Sequence, residues 1–360
     1  MRLPGMPIVF LAGMPIVFLA AGARAAPLAC GVATNQFSLS PPTLTSALKT
    51  GKLSFWWNWN TSPNLDDQAF SAAAVAASQR SFVPMVWGAA MPADFSFLSD
   101  AEGHVMGFNE PDLYGPACCN CDGKQSYYPA TSSGWAPLFN PVSAAQQWRD
   151  TVNALANFTA GSNAVHRIVS PAMANGATPA AGVDCSADPA GAGNPKRCEG
   201  WLSLFKRAAL GLSCARLDGG ATNCWDVIDV LQIHAYAKSA DEVLAKVRSY
   251  GTAFADDFAG TGGRSAKELW LTEVAAGSSD AAVIVPFVTK LMSPAGGLAD
   301  RTAFGYLARV SWFSEWSFPA FDVAGAAARP NEAWQSSLFD PFGGLSPLGD
   351  VFFENCASAP

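Results

Sequence analysis

The chain repeats one pattern along its length: a short, continuously apolar run, then a loop, then a stretch with helical spacing. The runs are "LSFWWNW" (Leu53–Trp59), "FVPMVWG" (Phe82–Gly88), "VMGFNEP" (Val105–Pro111), "RIVSPAMA" (Arg167–Ala174), "VIDVLQIHAYA" (Val227–Ala237), "ELWLTEVA" (Glu268–Ala275) and "YLARVSWFS" (Tyr306–Ser314), with Gly31–Ala33 as a first strand. Most are apolar throughout rather than alternating, as expected of parallel strands buried on both faces. Helical patterns lie between them. They cover Gln68–Gln79, Ser143–Phe158 with Ser143 as cap, Glu199–Leu210, Ser239–Phe254 with a capping signal, and Asp280–Met292. Eight strands alternating with helices predict an α/β fold, a (β/α)8 TIM barrel. A chain of 360 residues fits one such barrel as a single domain, and a hydrophobic content of 50% can fill its core.

The start of the chain reads differently. Arg2 precedes an uncharged apolar stretch from Met6 to Ala21, in which "GMPIVFLA" occurs twice in tandem, and Ala23-Arg24-Ala25 offers a small-x-small cleavage site. Residues 1–25 are therefore expected to be a signal peptide, and residues 26–360 a secreted domain, extracellular or in the cell wall. No later stretch is long and apolar enough to span a bilayer. Nine cysteines suit an oxidising compartment. Cys214 and Cys224 are close enough to staple one loop, and Cys185 and Cys198 another. A bridge from Cys30 to Cys356 would tie the two ends together. Cys118, Cys119 and Cys121 form a cluster, but no nearby His or second Cys pair completes a metal site there. Asn157-Phe158-Thr159 is a glycosylation pattern; Asn60-Thr61-Ser62 is another, weakened by Pro63.

Composition and motifs remove several classes of function. The net charge is −7 and no Lys/Arg run is sustained, which argues against nucleic acid and anionic membrane surfaces as partners. The chain lacks a Gly-x-Ser-x-Gly elbow, a phosphate-cradling loop, a His-Glu-x-x-His pair and a dinucleotide fingerprint. No metal and no organic cofactor are expected, and the chain is read as a monomer.

In a parallel barrel all strands end on one face, so the polar groups at those ends carry the chemistry. They are Asn58, Asn109 with Glu110, His234 with Tyr236, Glu273, and Trp312 with Ser314. Glu110 ends the fourth candidate strand and Glu273 the seventh. Either Glu alone could be a solvated or ion-paired group; their meeting on one face favours catalysis. Two facing carboxylates suit cleavage of a glycosidic bond, one as nucleophile or base, the other, with raised pKa, as acid. The residues themselves leave open which does which. Neighbouring residues on a strand point opposite ways, so a distorted strand end is needed for both Asn109 and Glu110 to reach a ligand. Asn58, Trp87, Asn109, His234, Tyr236 and Trp312 are the expected substrate contacts. Trp57, Trp59 and Trp87 are core residues or platforms for sugar rings. Asp112 contacts substrate or caps the turn that follows it. Glu315 is read as structural or as part of the rim.

Taken in order, "FVPMVWG", "VMGFNEPD", "RIVSPAMA", "IHAYA", "ELWLTEVA" and "SWF" resemble the family 128 glycoside hydrolases, retaining (β/α)8 enzymes of clan A with endo-β-1,3-glucanase activity. The resemblance runs from about Cys30 to "LSPLGDVFF". It implies that Glu110 is the acid/base and Glu273 the nucleophile, that Asn109 binds the sugar 2-hydroxyl, and that Tyr236 orients Glu273. It also implies β-1,3-glucan as the partner. Ala235 departs from an expected His-Trp-Tyr, which puts one stacking contact in question. Two rivals stand beside this reading: a related clan A glycosidase acting on another β-glucan or mannan, and a non-catalytic glucan-binding cell-wall protein.

Overall fold

A computed structural model describes residues 26–34, 53–63, 81–88, 92, 95, 103–113, 140–159, 166–174, 200–261, 264–278, 280–313, 338 and 345–356. The readings made for residues 1–25, the helix at 68–79, the cysteines at 118, 119, 121, 185 and 198, and Glu315 lie outside them. The described strands are β1 (Ala29–Ala33), β2 (Phe55–Trp57), β3 (His104–Val105), β4 (Arg167–Met173), β5 (Ser213–Ala215), β6 (Ala221–Asn223), β7 (Ile228–Ala237), β8 (Glu268–Ala276) and β9 (Leu307–Phe313). The helices are α1 (Pro141–Thr159), α2 (Trp201–Leu210), α3 (Ala240–Ala253), α4 (Ala255–Ala259), α5 (Ala281–Leu291) and α6 (Pro347–Glu354).

Seven strands form one parallel sheet in the order β2-β1-β9-β8-β7-β4-β3. The sheet curls on itself. Its two outer strands are linked by the segment at 82–87: Val83 N–H donates to Trp56 O (2.9 Å), Met106 N–H to Pro84 O (2.8 Å), and Val86 N–H to Met106 O (2.9 Å). This segment carries only isolated bridges, at Phe82 and Met85, rather than the regular strand expected over Phe82–Gly88. Pro84 has no N–H to give to a ladder, which accounts for the break.

Curling divides the apolar side chains into two layers. Inside the curl lie Ala33, Phe55, Trp57, Val83, Met85, Met106, Val169, Val230 and Trp270. Outside it, strand residues such as Val32, Leu231, Leu271 and Trp312 meet Trp148 and Val152 of α1, Val243 and Val247 of α3, Ile284 of α5 and Phe352 of α6. Each fully buried side chain of this size contributes about 1.5–3 kcal/mol. Both faces of the strands are therefore apolar, which is why their runs show no alternation.

Helix ends follow local chemistry. Ser239 caps α3, its hydroxyl accepting from Glu242 N–H (3.4 Å), and Asp280 caps α5. The expected cap of α1 at Ser143 is corrected: Asn140 Oδ1 accepts from Val142 and Ser143 N–H, and the helix begins at Pro141. Two bridges close on the expected pairs. Cys214–Cys224 staples the β5–β6 hairpin, and Cys30–Cys356 joins β1 to the chain beyond α6. Asn157 is exposed in the last turn of α1, whereas the Thr159 hydroxyl is buried and donates to Leu155 O (3.0 Å). Among the described residues no helix is long and apolar enough to cross a membrane.

Candidate active site

Glu110, His234 and Glu273 meet at the C-terminal ends of the strands. One ligand-capable atom from each lies within 4.8 Å of the others. His234 Nδ1 sits 2.8 Å from Glu110 Oε1 and 3.2 Å from Glu273 Oε2. The Tyr236 hydroxyl donates to Glu273 Oε2, and Trp59 Nε1–H donates to Glu273 Oε1 at 3.0 Å.

Irregular backbone makes this meeting possible. The pairing of β7 with β8 shifts register between Ile233 and His234, so that His234 stands opposite Glu273. The pairing of β8 with β9 shifts between Leu271 and Val274. An extra residue in β8 turns Glu273 to the inner face, where plain alternation from the inner Trp270 would place Thr272. On the other side, Gly107 lies against β4 so closely that a Cβ there would come within 2.8–2.9 Å of the Ser170–Pro171 backbone. Only glycine permits that approach, and it lets Asn109 bridge to Ala172. The chain then leaves the strand at Glu110 with φ of 45°, ahead of a 3-10 turn at Pro111–Leu113. A left-handed glutamate costs roughly 1–3 kcal/mol and persists only where its surroundings hold it. Trp59 is a second such residue, at φ 61°. Asn58 accounts for it: its Oδ1 accepts from Asn60 N–H (3.2 Å) and its Nδ2 donates to Ser62 O (3.0 Å), a tight turn that aims the Trp59 indole at Glu273.

Electrostatics follow burial. The Glu273 side chain is 5% exposed and that of Glu110 18%. Burial pushes the Glu273 carboxyl up to about 7; the His234 charge and the Tyr236 and Trp59 hydrogen bonds pull it down, while Glu110 pushes it up. His234 is fully buried, which works against its charged form, but the Glu273 and Glu110 carboxylates outweigh burial and raise its pKa. Burial and the Glu273 charge drive the Tyr236 phenol well above its ordinary range, so it remains a donor. Glu273 is the deeper of the two carboxyls, and burial is the largest cause of its raised pKa. Could the trio hold a metal? It is the one such cluster among the described residues. Both oxygens of Glu273 already accept from fixed donors, which suits a carboxylate kept for an organic reaction more than an open ligand.

A model of the glycosyl hydrolase catalytic core family matches residues 31–352. The chain belongs to this family. Its fold resembles two solved structures at a TM-score of 0.50. One is a family 128 (subgroup III) curdlan-specific exo-β-1,3-glucanase from Blastomyces gilchristii, 21% identical, covering 90% of this chain and 97% of that one. The other is a family 128 (subgroup IV) endo-β-1,3-glucanase from Lentinula edodes, 18% identical, covering 90% and 98%. A family 128 (subgroup VII) oligosaccharide-binding protein from Trichoderma gamsii follows at 16% identity and a TM-score of 0.47, covering 92% and 95%. No curated protein sequence matches the chain.

The structure of this glycosyl hydrolase brings Glu110, Glu273, His234 and Tyr236 together, with Asn109 beside Glu110. Asn109 N–H donates to Trp87 O (2.9 Å), and its Oδ1 is buried with no hydrogen-bond partner among the described residues. Trp87 is partly exposed and packs on the inner cluster along with Trp59 and Phe313. Other expectations change. His234 has no exposed surface, so it lies beneath the carboxylates rather than against a substrate. Asn58 spends its side chain on the loop that sets Trp59. Trp312 faces the helices, 1% exposed, against Phe287 and Phe352; its neighbour Phe313 meets Trp59 and Tyr236 on the inner side. Ala235 is likewise in the outer layer, so a larger side chain there would press on helices and not on a sugar. Asp112 is 1% exposed, and its Oδ1 accepts from Ala174 N–H (3.0 Å); it locks the end of β4. For Trp59, which the sequence left open between core and sugar platform, the structure adds a role the sequence did not suggest, as a donor to Glu273.

Proposed function

We propose that this chain is a secreted, retaining endo-β-1,3-glucanase, with residues 1–25 removed and residues 26–360 forming one catalytic domain. In this reading the segment at 82–87 serves as the eighth strand of a closed barrel. The observation that carries the proposal is the proximity of Glu110 and Glu273, whose oxygens approach within 4.8 Å across His234. Retaining glycosidases hold their two carboxyl groups roughly 5–5.5 Å apart, and inverting ones leave room for a water. β-1,3-Glucan as substrate rests on the family 128 resemblance and on the two glucanases of similar fold.

Glu273 is the nucleophile. Its carboxylate bonds to the anomeric carbon as the glycosidic C–O bond breaks, and Glu110 gives its proton to the leaving oxygen. Glu110, now a carboxylate, takes a proton from water. The water oxygen bonds to the anomeric carbon, and the ester to Glu273 breaks. The Tyr236 and Trp59 donors support this assignment, because hydrogen bonds to the charged form favour the ionised state a nucleophile needs. Glu110, more exposed, can reach both the leaving group and the incoming water. The buried Oδ1 of Asn109, with no partner among the described residues, is an acceptor that a sugar hydroxyl would satisfy.

The test is product analysis on a linear β-1,3-glucan. Wild type is expected to release a ladder of oligosaccharides, and Glu273→Ala and Glu110→Gln to lose about 10³-fold or more of that turnover. Glucose as the sole product would replace endo with exo action. Binding without release would favour a glucan-binding protein, and neither binding nor release would point to another polysaccharide.

A further inference from the structure

Behind Glu110 lies a pair of charged side chains to which the reaction above gives no part. Asp112, two residues on from Glu110, takes the N–H of Ala174 on its Oδ1 (3.0 Å). Lys246, from the middle of α3, donates Nζ–H to the carbonyl of the same Ala174 at 2.9 Å. Together they occupy both backbone groups of the residue that follows β4. The end of β4, the turn after Glu110 and helix α3 are thereby locked at one point. That turn begins at the left-handed Glu110, a conformation held by what surrounds it.

The pair also acts through charge. Lys246 and Asp112 lie within electrostatic reach of Glu110 and of each other, with opposite signs. Burial lowers the Lys246 ammonium to about 8 and raises the Asp112 carboxyl to about 6, so between those values both are charged. Among the described residues, the other ionisable groups facing Glu110 are His234 and Tyr236 from β7 and Glu273 from β8.

We infer that Asp112 and Lys246 are positioning residues for the acid/base: they fix the turn that carries Glu110 and balance its charge from opposite sides. This rests on the hydrolase reading above. Asp112→Asn removes the charge and retains an acceptor for Ala174 N–H, and Lys246→Gln removes the charge and retains a donor group. The readout is the alkaline limb of the pH profile of kcat/KM on β-1,3-glucan, which reports the general acid in the free enzyme. Loss of a nearby carboxylate lets the acid give up its proton more readily, so Asp112→Asn moves the limb to lower pH. Loss of a nearby ammonium does the reverse, so Lys246→Gln moves it to higher pH. Each shift is expected to be about half a unit to one unit. Lys246→Arg, which keeps the charge, leaves the limb in place. A pair with only a structural role moves neither limb, or both in one direction, and either result overturns the inference. If Lys246→Gln does not fold, the direction of the Asp112→Asn limb decides alone. Wild type inactive on every glucan would instead overturn the hydrolase reading, and the inference with it.

Discussion

Trp59 shows how one side chain tunes another. Its indole N–H holds Glu273 Oε1 at 3.0 Å, and a hydrogen bond to the ionised form lowers a carboxyl pKa. Glu273, pushed up to about 7, must be ionised to attack, so kcat/KM falls as pH drops through that value. Trp59→Phe keeps the ring and removes the donor, which raises the carboxyl further. The variant is expected to lose about three- to tenfold at pH 6 and less at pH 8, with the acidic limb displaced upward. A pH profile of both proteins checks it; equal loss at both values would remove Trp59 from the tuning of Glu273. Little of this was legible in the sequence. "GFNEPD" and "LTEV" display two carboxylates at strand ends, but no pattern tells that Asn58 closes a turn and throws Trp59 to φ 61°. The same limit explains Trp312. Both it and Phe313 are apolar at a strand end, and only the packed sheet decides which faces the helices.

Strands and helices were more legible than their irregularities. Continuous apolar runs are what strands buried on both faces require, and β4, β7, β8 and β9 fall where those runs lie. The extra residue in β8 left no trace, because hydrophobicity is unchanged whichever way Thr272 and Glu273 turn. The β5–β6 hairpin and α6 were not anticipated as elements: the hairpin strands are three residues each, and α6 is eight. Helix α3 was marked by its Ser-Ala-Asp-Glu start, and Ser239 does cap it, with Glu242 reaching back to the Ser239 hydroxyl (3.2 Å) and to Lys238 N–H (3.4 Å). Ser239→Ala is expected to cost about 1 kcal/mol, read as a lower denaturant midpoint at unchanged slope. Because α3 also carries Lys246, the same variant tests whether the fraying of a distant first turn reaches the site. Activity per folded molecule should stay near wild type, since Lys246 lies well inside the helix.

Across the molecule, the alternation of runs and helical patterns anticipated a parallel sheet, and β1 between β2 and β9 brings the first strand beside the last. The Cys30–Cys356 bridge fastens that neighbourhood, joining positions 326 apart in sequence. A link across so long a loop restricts the unfolded chain strongly, and Cys356→Ser is expected to cost about 2–4 kcal/mol. A fall in melting temperature under non-reducing conditions, with no such fall when both proteins are reduced, is the measurement. The bridge closes residues 30–356 into a covalent ring. A protease that cuts once anywhere between Cys30 and Cys356 opens the ring but releases no fragment, and the two pieces stay joined until a reductant divides them.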